Sequence, residues 1–127
     1  MGLFDLFTDE KKGIGYSLED VQAKHQKNPR HFLIPSQEEI NQLKLGDQVR
    51  LIFVLDTVLE NGCRAERMWV ELTEIREGKF KGRLTNQPAY ITSVQLGDEL
   101  DFAREHIASL MVPQLNLDTQ KGAMITK

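Results

Sequence analysis

The side chains with the most chemistry to offer are one cysteine, three histidines, one tryptophan and a short alternation of basic residues. Cys63 is flanked by Arg64 and Arg67, whose charges favour a thiolate and hence a nucleophile. No histidine stands near it in the sequence to act as its base, so the residues do not compose a catalytic thiol. His25, His31 and His106 lack the i, i+4 spacing that puts two imidazoles on one helix face around a metal. Glu105 and His106 are adjacent on a predicted helix and therefore point apart, which does not make an acid–base pair. Gly13-Ile14-Gly15 precedes a helix but follows no strand and lacks the third glycine of a phosphate loop. A single cysteine excludes an internal disulfide and a zinc site built on several thiolates. No catalytic residue, cofactor or metal ligand is expected.

Binding offers more. Trp69 falls on the strand face opposite Met68 and Val70, beside Arg67, Glu71 and Thr73. It is either an exposed aromatic at the centre of a binding surface, where tryptophan often dominates affinity, or a core residue under a covering helix. The second is the commoner outcome for a tryptophan beside an apolar strand. Lys79, Lys81 and Arg83 alternate on one side of their strand and are of the type that meets phosphate. Glu71, Glu74 and Glu77 lie across the same hairpin, so a solvated face with modest ion pairs is expected.

These residues are held by residues 64–84, in which Met68, Val70 and Leu72 alternate with polar neighbours up to a Glu77-Gly78 turn. With that two-residue loop, Ile75 faces Phe80 and Glu74 faces Lys81, but an unbroken ladder would set Leu72 against Arg83. One extra residue near Thr73 or Glu74 restores Val70 opposite Leu84, so the pattern predicts a β-bulge there. Residues 48–56 carry alternating Val49, Leu51, Phe53 and Leu55 with Ile52 and Val54 apolar as well, the pattern of a central strand covered on both faces. Residues 57–65 read as a loop that returns the chain antiparallel into the Trp69 strand. Ser17 reads as the N-cap of a helix bearing Leu18, Val21 and Ala23 that ends near Asn28-Pro29, and Ser36 with Glu39 makes a capping box for a helix over residues 37–43. His31 to Ile34 and residues 89–92 read as short extended pieces, and residues 94–102 as the beginning of another strand.

Two stretches echo one another: residues 43–51 and 94–102 share apolar, polar, Leu-Gly-Asp, polar, apolar, polar, apolar. Convergence on a good turn is the economical reading, with duplication as its alternative. Residues 104–110 are predicted as a short closing helix.

At 127 residues the chain has room for one core, and its composition is that of an ordinary globular domain. A net charge of −3 supplies no basic field for a dedicated nucleic-acid binder. The longest apolar run, residues 51–55, is too short to cross a bilayer, and the N-terminus lacks a secretory pattern, so a cytoplasmic protein is expected. Leu3, Phe4, Leu6 and Phe7 form a small amphipathic turn, residues 113–122 a polar tail, and residues 123–126 an apolar finish.

The chain resembles a bacterial domain-of-unknown-function family, the YegJ-like family numbered 2314, at Glu66-Arg67-Met68-Trp69-Val70-Glu71, at Gly82-Arg83-Leu84-Thr85-Asn86-Gln87-Pro88, and at Leu96-Gly97-Asp98-Glu99-Leu100-Asp101-Phe102 with His106-Ile107 beyond. The family-like core is residues 49–107. Family members often place Asp-Trp after the final Ile, where this chain has Ala108-Ser109. The resemblance implies a small α+β domain with no established activity. Gly122 to Lys127 is also similar to the opening strand of an immunity-protein domain of bacterial toxin systems, which implies a partner-binding role.

The expectation is therefore an α+β fold: a strongly bent antiparallel sheet of about five strands with N-terminal helices packed on one side, as a single domain over residues 1–112. The expected function is that of a non-enzymatic interaction module in a bacterial cytoplasm, immunity-like or an accessory subunit, with Trp69, Arg67, Asn86 and Tyr90 as binding residues. The alternatives are an enzyme of small-molecule metabolism with an unrecognised cleft and a weak nucleic-acid binder through Lys79, Lys81 and Arg83.

Overall fold

A computed structural model describes residues 13–111; the amphipathic turn at residues 3–7 and the tail from residue 113, with its immunity-like end, lie outside them. The elements in order are β1 (Tyr16–Leu18), α1 (Val21–Lys27), α2 (Gln37–Asn41), β2 (Gln48–Leu55), β3 (Ala65–Arg76), β4 (Lys79–Leu84), β5 (Glu99–Ala103), a 3-10 turn (Arg104–His106) and β6 (Ile107–Leu110). Neighbouring strands pair antiparallel from β1 through β5, and β6 returns to β2, so the six strands form a nearly closed sheet. The architecture is α+β, with a strongly bent antiparallel sheet.

Closure follows from the strands' two-faced patterns. The inner faces contribute Val49, Leu51 and Phe53 from β2, Met68, Val70 and Leu72 from β3, Phe80 and Leu84 from β4, Leu100 and Phe102 from β5, and Ile107 from β6 to one core. The outer face of β2 makes a second, smaller core: Ile52 packs with Val21 of α1 and Ala108, flanked by Phe32, Ile34 and Val54. β2 is thus covered on both sides, as its doubled apolar pattern requires.

The predicted bulge is present. Val70 faces Leu84 and Ile75 faces Phe80, while the register shifts between Leu72 and Glu74. Thr73 is the extra residue, and its hydroxyl donates to the Lys81 carbonyl at 3.2 Å. A second shift, between Arg50 and Leu51 against β6, leaves Ala108 unpaired and turns it toward Val21 and Ile52.

The echoed Leu-Gly-Asp stretches build one turn twice. Asp47 Oδ2 accepts from the Lys44 amide at 2.9 Å, and Asp98 Oδ2 from the Gln95 amide at 3.0 Å. Gly46 and Gly97 sit at φ 93° and 94°, a left-handed conformation that suits glycine. Each turn then exchanges two backbone hydrogen bonds with an inward leucine, Leu72 for the first and Leu84 for the second.

Several local expectations are corrected. Ser17 lies in β1, and the cap of α1 is Asp20, which accepts from the Ala23 amide. Tyr16 to Leu18 is recruited by the open edge of β2, opposite Phe53 to Leu55. The capping box of Ser36 and Glu39 forms, but α2 stops at Asn41. Residues 89–92 and 94–98 are not strand, and β5 begins only at Glu99. Residues 104–110 form a single 3-10 turn and a strand, because Ile107 and Leu110 find inward positions opposite Leu51 and Val49 that a helix would withdraw.

Candidate binding surface

The outer face of the sheet beyond α1 is polar except at one place. Trp69 is half-buried there and belongs to neither apolar cluster. Among the described residues its cover is a side chain and not a helix: Arg50 of β2 lies directly opposite, with its guanidinium carbon 5.0 Å from the indole ring centre. The backbone explains the contact. Trp69 donates its amide to Asn86 Oδ1 and accepts from the Thr85 amide at 3.0 Å, so both of its backbone groups point toward β4. Arg50 and Trp69 therefore meet as a non-hydrogen-bonded pair, the kind in which opposite side chains stand closest. A guanidinium within about 6 Å of an indole ring centre gains cation–π attraction of about 0.5–2 kcal/mol, depending on solvent exposure.

The other sequence-predicted residues gather along the first half of β3. Arg67 is exposed on the same outer face, two residues from Trp69 and opposite Ile52. Asn86 is partly buried, and its side chain continues the ladder after β4 ends at Leu84, taking the place of a backbone carbonyl for Trp69. Tyr90 is exposed and its hydroxyl accepts from Asn61 Nδ2 at 3.1 Å, tying the two loops at that end together.

Glu66 anchors the same loop. One carboxylate accepts from the amides of Ala89, Tyr90 and Ile91 at 2.8, 2.7 and 2.9 Å. Burial pushes this carboxyl up, but the three amide donors outweigh it and hold its pKa below the usual carboxylate range. Residue-by-residue reading missed Glu66 because its partners are more than twenty positions away. Arg50 was missed as well, although pairing residues 48–56 with the Trp69 strand across the loop would have set it opposite the indole.

The basic row of β4 is largely neutralised. Lys81 lies 3.7 Å from Asp101, Arg83 lies 3.8 Å from Glu71, and Arg76 pairs with Glu74. Near this row a cleft of about 630 Å³ opens, lined by Glu74, Arg76, Lys79, Lys81, Asp101 and His106, with the stacked Phe80 and Phe102 rings in its wall. His106 Nδ1 accepts from the Ala103 amide at 3.0 Å, so this nitrogen is committed to the 3-10 turn. Glu105 does not line the cleft beside it. Cys63 is partly buried and donates to the Ala65 carbonyl, and among the described residues no base is hydrogen-bonded to it. Among the described residues no group of three or more His, Cys, Asp or Glu converges as a metal site, and no helix is long and apolar enough to cross a membrane.

No curated protein and no solved structure matches the chain. A family model does, over residues 48–124, from the first residue of β2 through the closing β6 and beyond. The whole closed part of the sheet lies inside that match, with Arg50, Arg67 and Trp69 on it. With more than half of its length matched, the chain belongs to the DUF2314 family, described as an uncharacterized protein conserved in bacteria.

Proposed function

We propose that this chain is a non-enzymatic interaction module of the bacterial cytoplasm that binds a partner protein through the outer sheet face around Trp69. Neutralising a toxin or serving as an accessory subunit are the roles such a module fills. The observation that carries the reading is the placement of the sole tryptophan: half-buried on the outer face of a central strand, outside both cores, and backed by Arg50. Tryptophan and arginine are the residues most enriched where binding energy concentrates. The lone cysteine accords with a reducing compartment.

An enzyme of small-molecule metabolism is the second reading, favoured by the cleft, whose volume lies within the range of ligand sites, about 300–1,000 Å³. Its charged lining is mostly engaged in ion pairs, which weighs for the interaction module. Affinity capture from bacterial lysate with the wild-type chain and Trp69→Ala separates the two. A stoichiometric protein retained by the wild type and lost with Trp69→Ala, at unchanged circular dichroism, supports the module. A partner retained equally by both proteins, or a metabolite that co-purifies in place of a protein, overturns it.

A further inference from the structure

We propose that the Arg50–Trp69–Arg67 face recognises an extended acidic segment of a partner protein, with carboxylates at alternate positions. The inference rests on the interaction-module reading and names the chemistry of the partner. Three observations carry it. First, charge is distributed unevenly over the sheet: Arg76, Lys81 and Arg83 each have a carboxylate, whereas among the described residues none reaches Arg50 or Arg67. Glu71, the acid nearest along β3, is turned to Arg83 at 3.8 Å.

Second, Arg50 is fixed and incompletely satisfied. Its Nε is sealed from solvent with no hydrogen-bond partner among the described residues, while the guanidinium carbon lies 5.0 Å from the indole ring centre. The terminal nitrogens are the edge left to an incoming anion, and a planar fork held in advance suits a carboxylate better than a mobile ammonium does. Third, the spacing is that of an extended chain. Arg67 and Arg50 are diagonal neighbours across β3 and β2, a separation of about 7–8 Å. Two residues of extended backbone advance about 7 Å. An acidic, any, acidic triplet therefore sets one carboxylate against each arginine, with its backbone crossing the face beside Trp69 and its middle side chain directed away from the sheet. A nucleic acid is disfavoured, since the chain is net negative and two of the three β4 cations, Lys81 and Arg83, are already paired.

The sole tryptophan reports the binding directly. The full chain is titrated with an end-blocked peptide bearing Asp at alternate positions, with its Asn counterpart, and with a single-stranded oligonucleotide, each at low and high salt, while Trp69 fluorescence is followed. The expected result is a saturable, salt-sensitive change with the Asp peptide. Affinity should fall about tenfold or more for the Asn peptide and for Arg50→Gln, the loss of one charge-assisted contact. Arg67→Gln, at an exposed position, should weaken binding with an unchanged unfolding midpoint, so a folding defect in the Arg50 variant would not obscure the answer. Equal response to the Asn peptide, indifference to Arg67→Gln, or tighter binding of the oligonucleotide overturns the inference. If lysate capture depends on Trp69 but the Asp peptide does not bind, the acidic-segment inference fails alone; if the peptide binds and no Trp69-dependent partner is captured, the module reading fails alone.

Discussion

Glu66 shows how one side chain fastens a loop. Its carboxylate bridges the start of β3 to three successive amides, and charge-assisted acceptance is stronger than neutral acceptance. Glu66→Gln should therefore cost about 1 kcal/mol at neutral pH. The folded carboxyl lies below its ordinary value, so this contribution is fully present above the ordinary carboxylate pKa and is lost as pH falls through the lowered folded one. Urea denaturation of wild type and Glu66→Gln over a pH series should show a gap at neutrality that closes on acidification; a gap that widens in acid contradicts the assignment. Nothing local in the sequence announced Glu66, because its role exists only once the loop after β4 folds back. Trp69 was legible as a strand residue on the polar face, and what it lacked was a cover. The expected helix stops over Ile52, and Arg50 takes the place beside the indole.

Among the elements, the β3–β4 hairpin was the most readable because period-two patterning leaves no freedom of register. Leu72 and Ile75 cannot both face their observed partners without an extra residue, and Thr73 supplies it. Gly82 completes the device. A methyl group there would meet the Glu71 carbonyl at 2.9 Å and crowd the Val70 side chain, and a backbone carbonyl in a paired ladder cannot step aside. Gly82→Ala should cost about 1–3 kcal/mol, seen as a drop of several degrees or more in the thermal unfolding midpoint; an unchanged midpoint would show that the hairpin is more loosely paired than described. The paired Leu-Gly-Asp turns were legible from the repeat itself, since the Asp carboxylates and the glycine φ values coincide. β1 and β6 were not, because three or four residues carry too little pattern and both exist to fill the free edge of β2.

For the molecule as a whole, closure is the organising fact. β5 and β6 are joined only by the 3-10 turn at Arg104–His106, whose Arg104 reaches Gln37 at 2.9 Å and Asn41 at 2.6 Å, tying it to α2. That turn lets the chain leave β4 and return to β2. Ile107, 1% exposed and opposite Leu51, is the apolar seal of the returning strand. Ile107→Ala should cost about 2–5 kcal/mol in denaturant unfolding, a core-sized loss despite its place near the end of the described chain; a cost below about 1 kcal/mol would mean that β6 is an appendage. Closure also turns the outer surface of β2 and β3 away from the core, and among the described residues α1 covers only part of it. The account stands on that uncovered part being reachable and cationic. Quenching of the single tryptophan by iodide and by caesium at equal ionic strength measures both properties at once: iodide should quench Trp69 more strongly, with the difference narrowing in Arg50→Gln and Arg67→Gln. A tryptophan that neither ion reaches, or that caesium quenches better, would contradict it.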